Sequence, residues 1–383
     1  MKLFEYMAKG ELRAAGVDVP QGRCCRTPAE AVQAAREIGP VAVKAQVLVG
    51  GRGRAGGIRL ADTPEEAGQH AQAILGMEIR GERVEQLWVE ERLQIDQELY
   101  LALAVDTSAR RPVLIASARG GMEIEEVPDK DIVRRHLDVA WGLLPYQARQ
   151  IAARLGLTAA LVPAFCAVAG RLYEVFRTRD AELVECNPLA VVSGRLVAAD
   201  ARLNIDEDAL WRQKGLPRTD ESTPLEARVR ALGLAFVQLD GDIAVMANGA
   251  GITMATIDAL KRYGGRPMNF LDAGGGAATG PTAEALDILL STGPRAALVN
   301  IFGGITRCDE VARAIVQVRQ ARGQDVPLVV RLVGTNEEEG TAILEEAGIS
   351  AFTSMREAAE RAVQVAAAGT ASAGEAGHGH PDR

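Results

Sequence analysis

From Asp242 onward the chain repeats one pattern: a short continuous apolar run, a glycine-bearing turn, then a stretch whose apolar positions recur every three or four residues. DIAVMANG precedes ITMATIDALKRY, PMNFLD and a glycine-rich loop precede TAEALDILLS, and AALVNIF precedes TRCDEVARAIVQVRQ. VPLVVRLVG then precedes NEEEGTAILEEAG, and ISAFTS precedes REAAERAVQVAA. Buried strands alternating with amphipathic helices predict a parallel sheet covered on both faces. Such a doubly wound α/β domain gathers its ligands at the carboxyl ends of the strands.

The first half is patterned differently. A helix is predicted over about Leu3 to Ala15, stopped by Gly16, and VAVKAQV and GIRL flank a glycine-rich loop. Thr63, Pro64 and Glu66 stand in capping-box positions ahead of the next helix. QLWVEERL, ELYLALAVD and RPVLIASA read as strands with short connections, YQARQIAARLGL and VPAFCAVAGRLYEVFR as helices, and AELVECNPLAVV-SG-RLVAADARL as a hairpin. Strands with interspersed helices indicate an antiparallel-rich α+β domain. The polar segment Arg212 to Ala227 reads as a linker. The expected division is therefore 1–225, 226–368 and a low-complexity, disordered tail over 369–383.

The hairpin carries the most geometry. If Ser193-Gly194 is a two-residue turn, Asn187 lies opposite Asp200, and Glu185 shares their face by the two-residue period. Opposed side chains approach within about 4.5–5.5 Å at Cβ, so three hard oxygen donors converge as Mg²⁺ would need. A solvent-facing strand is the alternative, but Glu185 and Asn187 interrupt an otherwise apolar run. Pro188 cannot donate to a ladder and threatens the register.

The loop Val47 to Gly57 packs five glycines and two arginines between two strands, a composition suited to phosphate. It matches neither the P-loop nor the Rossmann fingerprint. Lys44, just before it, faces either solvent by alternation or a phosphate. Glu90 and Glu98 are either ribose or adenine acceptors or plain surface charges. Later, NGAG (Asn248 to Gly251), DAGGGAATG (Asp272 to Gly280) and GGITR (Gly303 to Arg307) each join a strand to a helix, which puts all three on one rim. Thr306 and Asp309 suit a helix cap, whereas the preceding glycines and Arg307 favour an anion. No loop carries a nucleophile: there is no GxSxG, and His70 and His136 stand in no recognisable motif. Cys186 and Cys308 read as core thiols.

Composition narrows the partners. The 383 residues hold 51 acidic and 43 basic side chains, a net charge of −8, which argues against nucleic acid. No apolar run is long enough to span a membrane, and the amino-terminal stretch lacks the apolar core of a secretory signal. Five cysteines without CxxC spacing suit a reduced, cytoplasmic chain and disfavour zinc. A phosphate-handling chain without its own nucleophile implies a partner chain that supplies one.

At LFEYMAKGEL, VKAQVLVGGRGRAGG, GGMEIEEV, VECNPL, MANGAGITMATID, NFLDAGGGA, LVNIFGGITRCDE and VVRLVGTNEEEG the chain resembles the β subunit of succinate–CoA ligase, over nearly all of its length to about residue 368. The resemblance implies an N-terminal ATP-grasp domain followed by a flavodoxin-like CoA-ligase domain. It implies an α subunit, in an αβ heterodimer or α₂β₂ heterotetramer, that binds CoA and carries a phosphorylatable histidine. By position, Lys44, Gly51, Arg52, Gly53, Glu90, Leu93 and Glu98 would bind ATP/ADP or GTP/GDP. Asn187 and Asp200 would hold Mg²⁺, Glu185 would meet the histidine, and Asn248, Gly304, Ile305 and Thr306 would contact the carboxylate substrate. The activity implied is reversible formation of succinyl-CoA, a tricarboxylic acid cycle step. A malate–CoA ligase large subunit and a non-catalytic nucleotide-binding scaffold are the competing readings. Arg54, Leu93, Cys186 and a shortened segment between Pro128 and Gln147 depart from the family pattern and bear on nucleotide preference.

Overall fold

The first periodic stretch folds as α1 (Glu5–Ala14), and the chain leaves it through Gly16 at φ +84°, a conformation open to a residue without Cβ. The computed structural model describes residues 1–219, 222–274, 279–322 and 326–374. Two compact units divide the chain, Met1–Glu221 and Ser222–Arg383, each built around its own apolar cores.

In the first unit α1 is followed by β1 (Gly22–Cys25), α2 (Pro28–Ile38), β2 (Val41–Ala45), β3 (Ile58–Ala61) and α3 (Pro64–Ile74). A small ribbon of β4 (Glu78–Ile79) and β5 (Glu82–Arg83) leads to β6 (Leu87–Glu91). These strands form an antiparallel sheet in the order β1-β6-β2-β3. Thr27 and Thr63 cap α2 and α3 by accepting from the amides of Glu30 and Glu66.

The second sheet of this unit contains β7 (Gln97–Asp106), β8 (Arg111–Ser117), β9 (Ile132–His136), and, after α4 (Pro145–Arg154) and α5 (Val162–Thr178), β10 (Ala181–Val192), β11 (Arg195–Ala198) and β12 (Arg202–Ile205). Its order is β11-β10-β7-β8-β9, with β12 also on β10, and every pairing is antiparallel. Phe165 and Leu172 of α5 pack with Leu101, Leu103 and Leu114 of the sheet in one buried cluster. Truncating any one of these leucines to alanine would cost about 2–5 kcal/mol.

The hairpin register is the one the two-residue turn predicts. Ser193 and Gly194 have φ of 49° and 78°, as a type I′ turn requires, and Val192 pairs with Arg195 through to Leu189 with Ala198. Pro188 does not shift it: Ala199 donates its amide to the Pro188 carbonyl, and pairing resumes in the same register at Glu185 and Arg202. The irregularity falls on the other side, between β10 and β7, at Cys186/Leu189.

The second unit begins with α6 (Pro224–Arg230), inside the segment whose polar composition predicts a linker. Thr223 accepts from the Glu226 amide at 3.2 Å and donates its own amide to Glu226 at 2.8 Å, a reciprocal cap that overrides composition. Then follow β13 (Ala235–Gln238), β14 (Ile243–Ala247), α7 (Ala250–Arg262), β15 (Asn269–Asp272), α8 (Thr279–Ser291) and β16 (Ala296–Gly303). The unit ends with α9 (Cys308–Arg322), β17 (Leu328–Gly334), α10 (Glu337–Glu346), β18 (Ala351–Phe352) and α11 (Met355–Gly374). The order β13-β15-β14-β16-β17-β18 is parallel except for β13, an antiparallel edge strand that sequence pattern misses because only Phe236 of its residues is buried.

Residues of β14 alternate between two cores. Ala244 and Met246 join side chains of α8, α9 and α10, while Ile243 and Val245 join those of α7 and α11. Helix α11 continues past residue 369, where a disordered tail is expected, because an alanine-rich stretch favours the helix. Residues 375–383 of that tail, and Gly275 to Ala278 of the predicted glycine loop, lie outside the described residues. No helix among the described residues is long and apolar enough to cross a membrane.

Candidate functional site

Within the first unit, β2, the loop after it, β6 and the hairpin β10–β11 enclose a cavity of about 590 Å³. Lys44, Gly51, Arg52, Gly53, Glu90, Leu93, Glu98, Glu185, Asn187 and Asp200 all line it, so every predicted site residue of this half meets at one place. The first-unit histidines are elsewhere: His136 bonds Asp106, and His70 contacts the carbonyl of Leu60.

The floor is a network of buried charges. Lys44 is 8% exposed, against its solvent-facing reading, because β2 is buried on both faces. Its Nζ lies 3.0 Å from Glu5, 2.7 Å from Glu90 and 2.8 Å from the carbonyl of Ala199. Lys9 bridges the same two carboxylates, at 2.7 and 2.6 Å. Glu90 is no surface charge either, for it also accepts from Trp88 Nε1 at 2.6 Å. Burial alone would raise the Glu5 carboxyl, but Lys44, Lys9 and Arg52 hold it well below the usual range. Burial opposes the charge on Lys44, and Glu5, Glu90 and Asp200 more than restore it. Sequence inspection misses Glu5 and Lys9, whose (i, i+4) spacing on α1 looks like an ordinary helix-surface pair.

Above the floor, Arg52 spans the cavity. Its Nη1 reaches Glu5 at 2.6 Å and its Nη2 lies 2.9 Å from both oxygens of Asp200. The loop that carries it curls on itself, with the amides of Ala55 and Gly57 bonded to the carbonyls of Gly51 and Arg52. Gly51, at φ +85°, packs against the Arg80 guanidinium, which a Cβ would meet at 3.0 Å. Arg202 stands the same way against Gly50. These two cations add positive potential beside the loop, and nothing in their own sequence context marks them.

Asn187 is gripped at both ends by the Gly120–Met122 turn. Its Oδ1 accepts from the Gly121 amide at 2.8 Å, and its Nδ2 donates to the Met122 carbonyl at 2.9 Å. A Cβ on Gly121 would displace the Glu98 carboxylate, whose Oε2 would lie 2.0 Å from it. Beside Asn187, Glu185 Oε2 accepts from the buried Tyr100 hydroxyl at 2.9 Å, and Arg202 stands 4.0 Å from Oε1. Burial pushes the Glu185 carboxyl up, with Arg202 and Tyr100 opposing it. The neighbouring Cys186 thiol is pushed up strongly by burial, as befits a core thiol.

In the second unit the described parts of the three predicted loops follow the strand ends of one sheet. Asn248 pins two of them: its Oδ1 accepts from the Phe302 amide at 2.8 Å, and its Nδ2 reaches the Phe302 carbonyl and Thr306 Oγ1 at 3.0 and 3.2 Å. Asp272 Oδ1 accepts from the amides of Gly249 and Gly274. Thr306 is buried, whereas Ile305 is 83% exposed at the loop tip.

The Gly-Gly turn has a structural cause beyond any ligand. A Cβ on Gly303 would stand 2.7 Å from the Thr306 carbonyl, and across β16 and β17 a Cβ on Gly334 would stand 2.0 Å from the Gly303 carbonyl. Gly304 faces open space. Helix α9 starts at Cys308, whose amide is bonded to the Thr335 carbonyl. The fully buried Asp309 carboxylate is held by the side chains of Arg307, Arg313 and Asn336, where the sequence suggests a helix cap. Those hydrogen bonds, Arg307's foremost, keep it well below the usual carboxylate range.

An ATP-grasp domain model matches residues 2–191, and a CoA-ligase model matches residues 246–366. A succinate–CoA ligase (ADP-forming) subunit beta from Methanothermobacter thermautotrophicus is 46% identical over 372 residues, covering 96% of this chain and 99% of that protein. The subunit of the same name from Chloroflexus aurantiacus is 48% identical over 377 residues, with 96% and 99% covered. Among solved structures, ATP citrate lyase from Methanothrix soehngenii, in complex with citrate and coenzyme A, has the same fold, with a TM-score of 0.75 at 18% identity over 95% of this chain and 99% of that one.

A charged cavity in an ATP-grasp unit, followed by a doubly wound CoA-ligase unit, defines a nucleotide-dependent CoA ligase. Within that class the chain belongs to the family of succinate–CoA ligase β subunits.

Proposed function

We propose that this chain works with an α subunit to join succinate to CoA at the expense of ATP, through a phosphohistidine carried by the partner. The reading is supported above all by the meeting of phosphate-seeking cations, Lys44 and Arg52, with the oxygen donors Glu185, Asn187 and Asp200 around one cavity. Lys44 and Arg52 bind the phosphates, with the amides of Gly51 and Gly53 at the same loop. Leu93 and Glu98 line the nucleoside end, while Glu90 holds Lys44 in place.

The donor set suits Mg²⁺. Asp200 is a carboxylate and Asn187 Oδ1 keeps a lone pair beyond its bond to Gly121, while Glu185 Oε1, not bonded to Tyr100, is left for the partner's imidazole. Among the described residues no three His, Cys, Asp or Glu side chains form a ligand group, so phosphate and water oxygens would complete the ion's shell. When bound, Mg²⁺ supplies charge neutralisation on the phosphates. Glu185 accepts the N–H of the partner's imidazole, leaving the other ring nitrogen as nucleophile. On the second unit, Asn248, Gly304, Ile305 and Thr306 receive the succinate carboxylate, near the positive end of α9.

The test is reconstitution with the cognate α subunit, following ADP release and thioester formation with succinate and with malate offered in parallel. Succinate-dependent turnover is expected, falling at least about 100-fold in Asp200→Asn. Turnover with malate alone would reassign the substrate, and full activity in Asp200→Asn would remove the metal role.

A further inference from the structure

The three carboxylates and three cations beneath the cavity form a closed set. Glu5, Glu90 and Asp200 are matched by Lys9, Lys44 and Arg52, each joined to at least one opposite charge. Most of these side chains are nearly sealed from water: Lys9 and Glu5 are 1% exposed, Glu90 3%, Lys44 9% and Arg52 12%, and Asp200, at 28%, is the most open of the set. Arg52 is the one cation of the set that rides on a loop, and its Nη2 lies equally close to both Asp200 oxygens. In this conformation the carboxylate meant for a metal ion is already neutralised.

A divalent cation reaching Asp200 must displace the guanidinium. With no phosphate present, a displaced guanidinium gains nothing in return and leaves a buried ion pair. With a polyphosphate present it gains an anion that fits its planar fork.

We propose, building on the nucleotide and metal reading above, that Arg52 is a tethered stand-in for the metal ion: it neutralises Asp200 until phosphates draw it away, so that metal and nucleotide bind cooperatively through the exchange of one side chain. The coupling is reciprocal, each ligand raising the other's affinity by the same factor. It also keeps the site from filling with free divalent cation when no nucleotide is present.

The test is Mn²⁺ binding to the full chain without nucleotide, read from the electron paramagnetic resonance signal of free Mn²⁺, in wild type, Arg52→Gln, Arg52→Lys and Asp200→Asn. Removing the stand-in is expected to raise nucleotide-free Mn²⁺ affinity about ten-fold in Arg52→Gln, while affinity for ATP falls. Arg52→Lys, which keeps a charge but loses the fork and preserves a partner for Glu5, is expected to fall between wild type and Arg52→Gln. It decides the matter alone if Arg52→Gln does not fold. Mn²⁺ affinity unchanged or lowered in the Arg52 variants, with binding abolished in Asp200→Asn, overturns the exchange and leaves the metal site standing. Mn²⁺ binding unaffected by Asp200→Asn overturns both.

Discussion

Lys9 contacts neither end of any expected ligand, yet its ammonium holds Glu5 and Glu90 together beneath the cavity. Removing it leaves two buried carboxylates short of a cation, which is far costlier than losing a surface ion pair. Lys9→Met is expected to destabilise the first unit by about 3–5 kcal/mol at pH 7, measured by urea unfolding. The pH dependence has a definite sign. The folded carboxyl of Glu5 is held below its unfolded value, so its contribution is complete above about pH 4.3 and is lost as pH falls through the lower folded value. The gap between wild type and Lys9→Met is therefore expected to be constant from pH 7 to 5 and to shrink in more acid solution. A gap that stays constant to pH 3 would show that Lys9 acts through packing instead. At this scale the sequence discloses residue types but not partners. Lys44 alternates with apolar neighbours and looks exposed, because alternation cannot reveal that a strand is covered on both faces. Glu5 and Lys9 are invisible as site residues until the fold brings α1 against β6 and the hairpin.

Elements were more legible where local chemistry determined geometry. Ser193-Gly194 imposes a tight turn, and from it the facing of β10 and β11 follows without tertiary information. The helices and parallel strands of the second unit follow from their periodicity, whereas β13 and the capped α6 were hidden by weak burial and polar composition. The Gly-Gly turn after β16 shows how one signal can have two causes. Gly303 is required because a Cβ there would stand 2.7 Å from the Thr306 carbonyl, whereas Gly304 faces open space. The two kinds of glycine are expected to separate on substitution. Gly334→Ala places a Cβ 2.0 Å from a carbonyl at φ +115° and is expected to destabilise the second unit by more than about 2 kcal/mol. Gly304→Ala meets nothing within 4 Å and is expected to stay within about 0.5 kcal/mol of wild type, while the KM for succinate rises. Thermal melts with succinate titrations of both variants check this, and equal destabilisation would return Gly304 to the structural role.

For the whole molecule, the shift from alternating strands with interspersed helices to a regular strand–helix repeat announces two architectures, and two separate sets of buried cores bear it out. What no pattern in this chain reveals is the histidine on which the proposed reaction depends, since that proposal assigns it to another chain. The cavity residues all come from the first unit, so nucleotide binding is expected to act on that unit's stability alone. A ligand at about 100 times its dissociation constant adds about 2.7 kcal/mol to the state that binds it. In a unit of this size that corresponds to a rise of about 5–10 °C in melting temperature. Scanning calorimetry of the intact chain with Mg-ADP is therefore expected to resolve two transitions and to move one. Sodium succinate at matched ionic strength should leave that transition in place. If both transitions rise together with nucleotide, the units melt as one cooperative body, and binding in the first is felt by the carboxylate loops of the second.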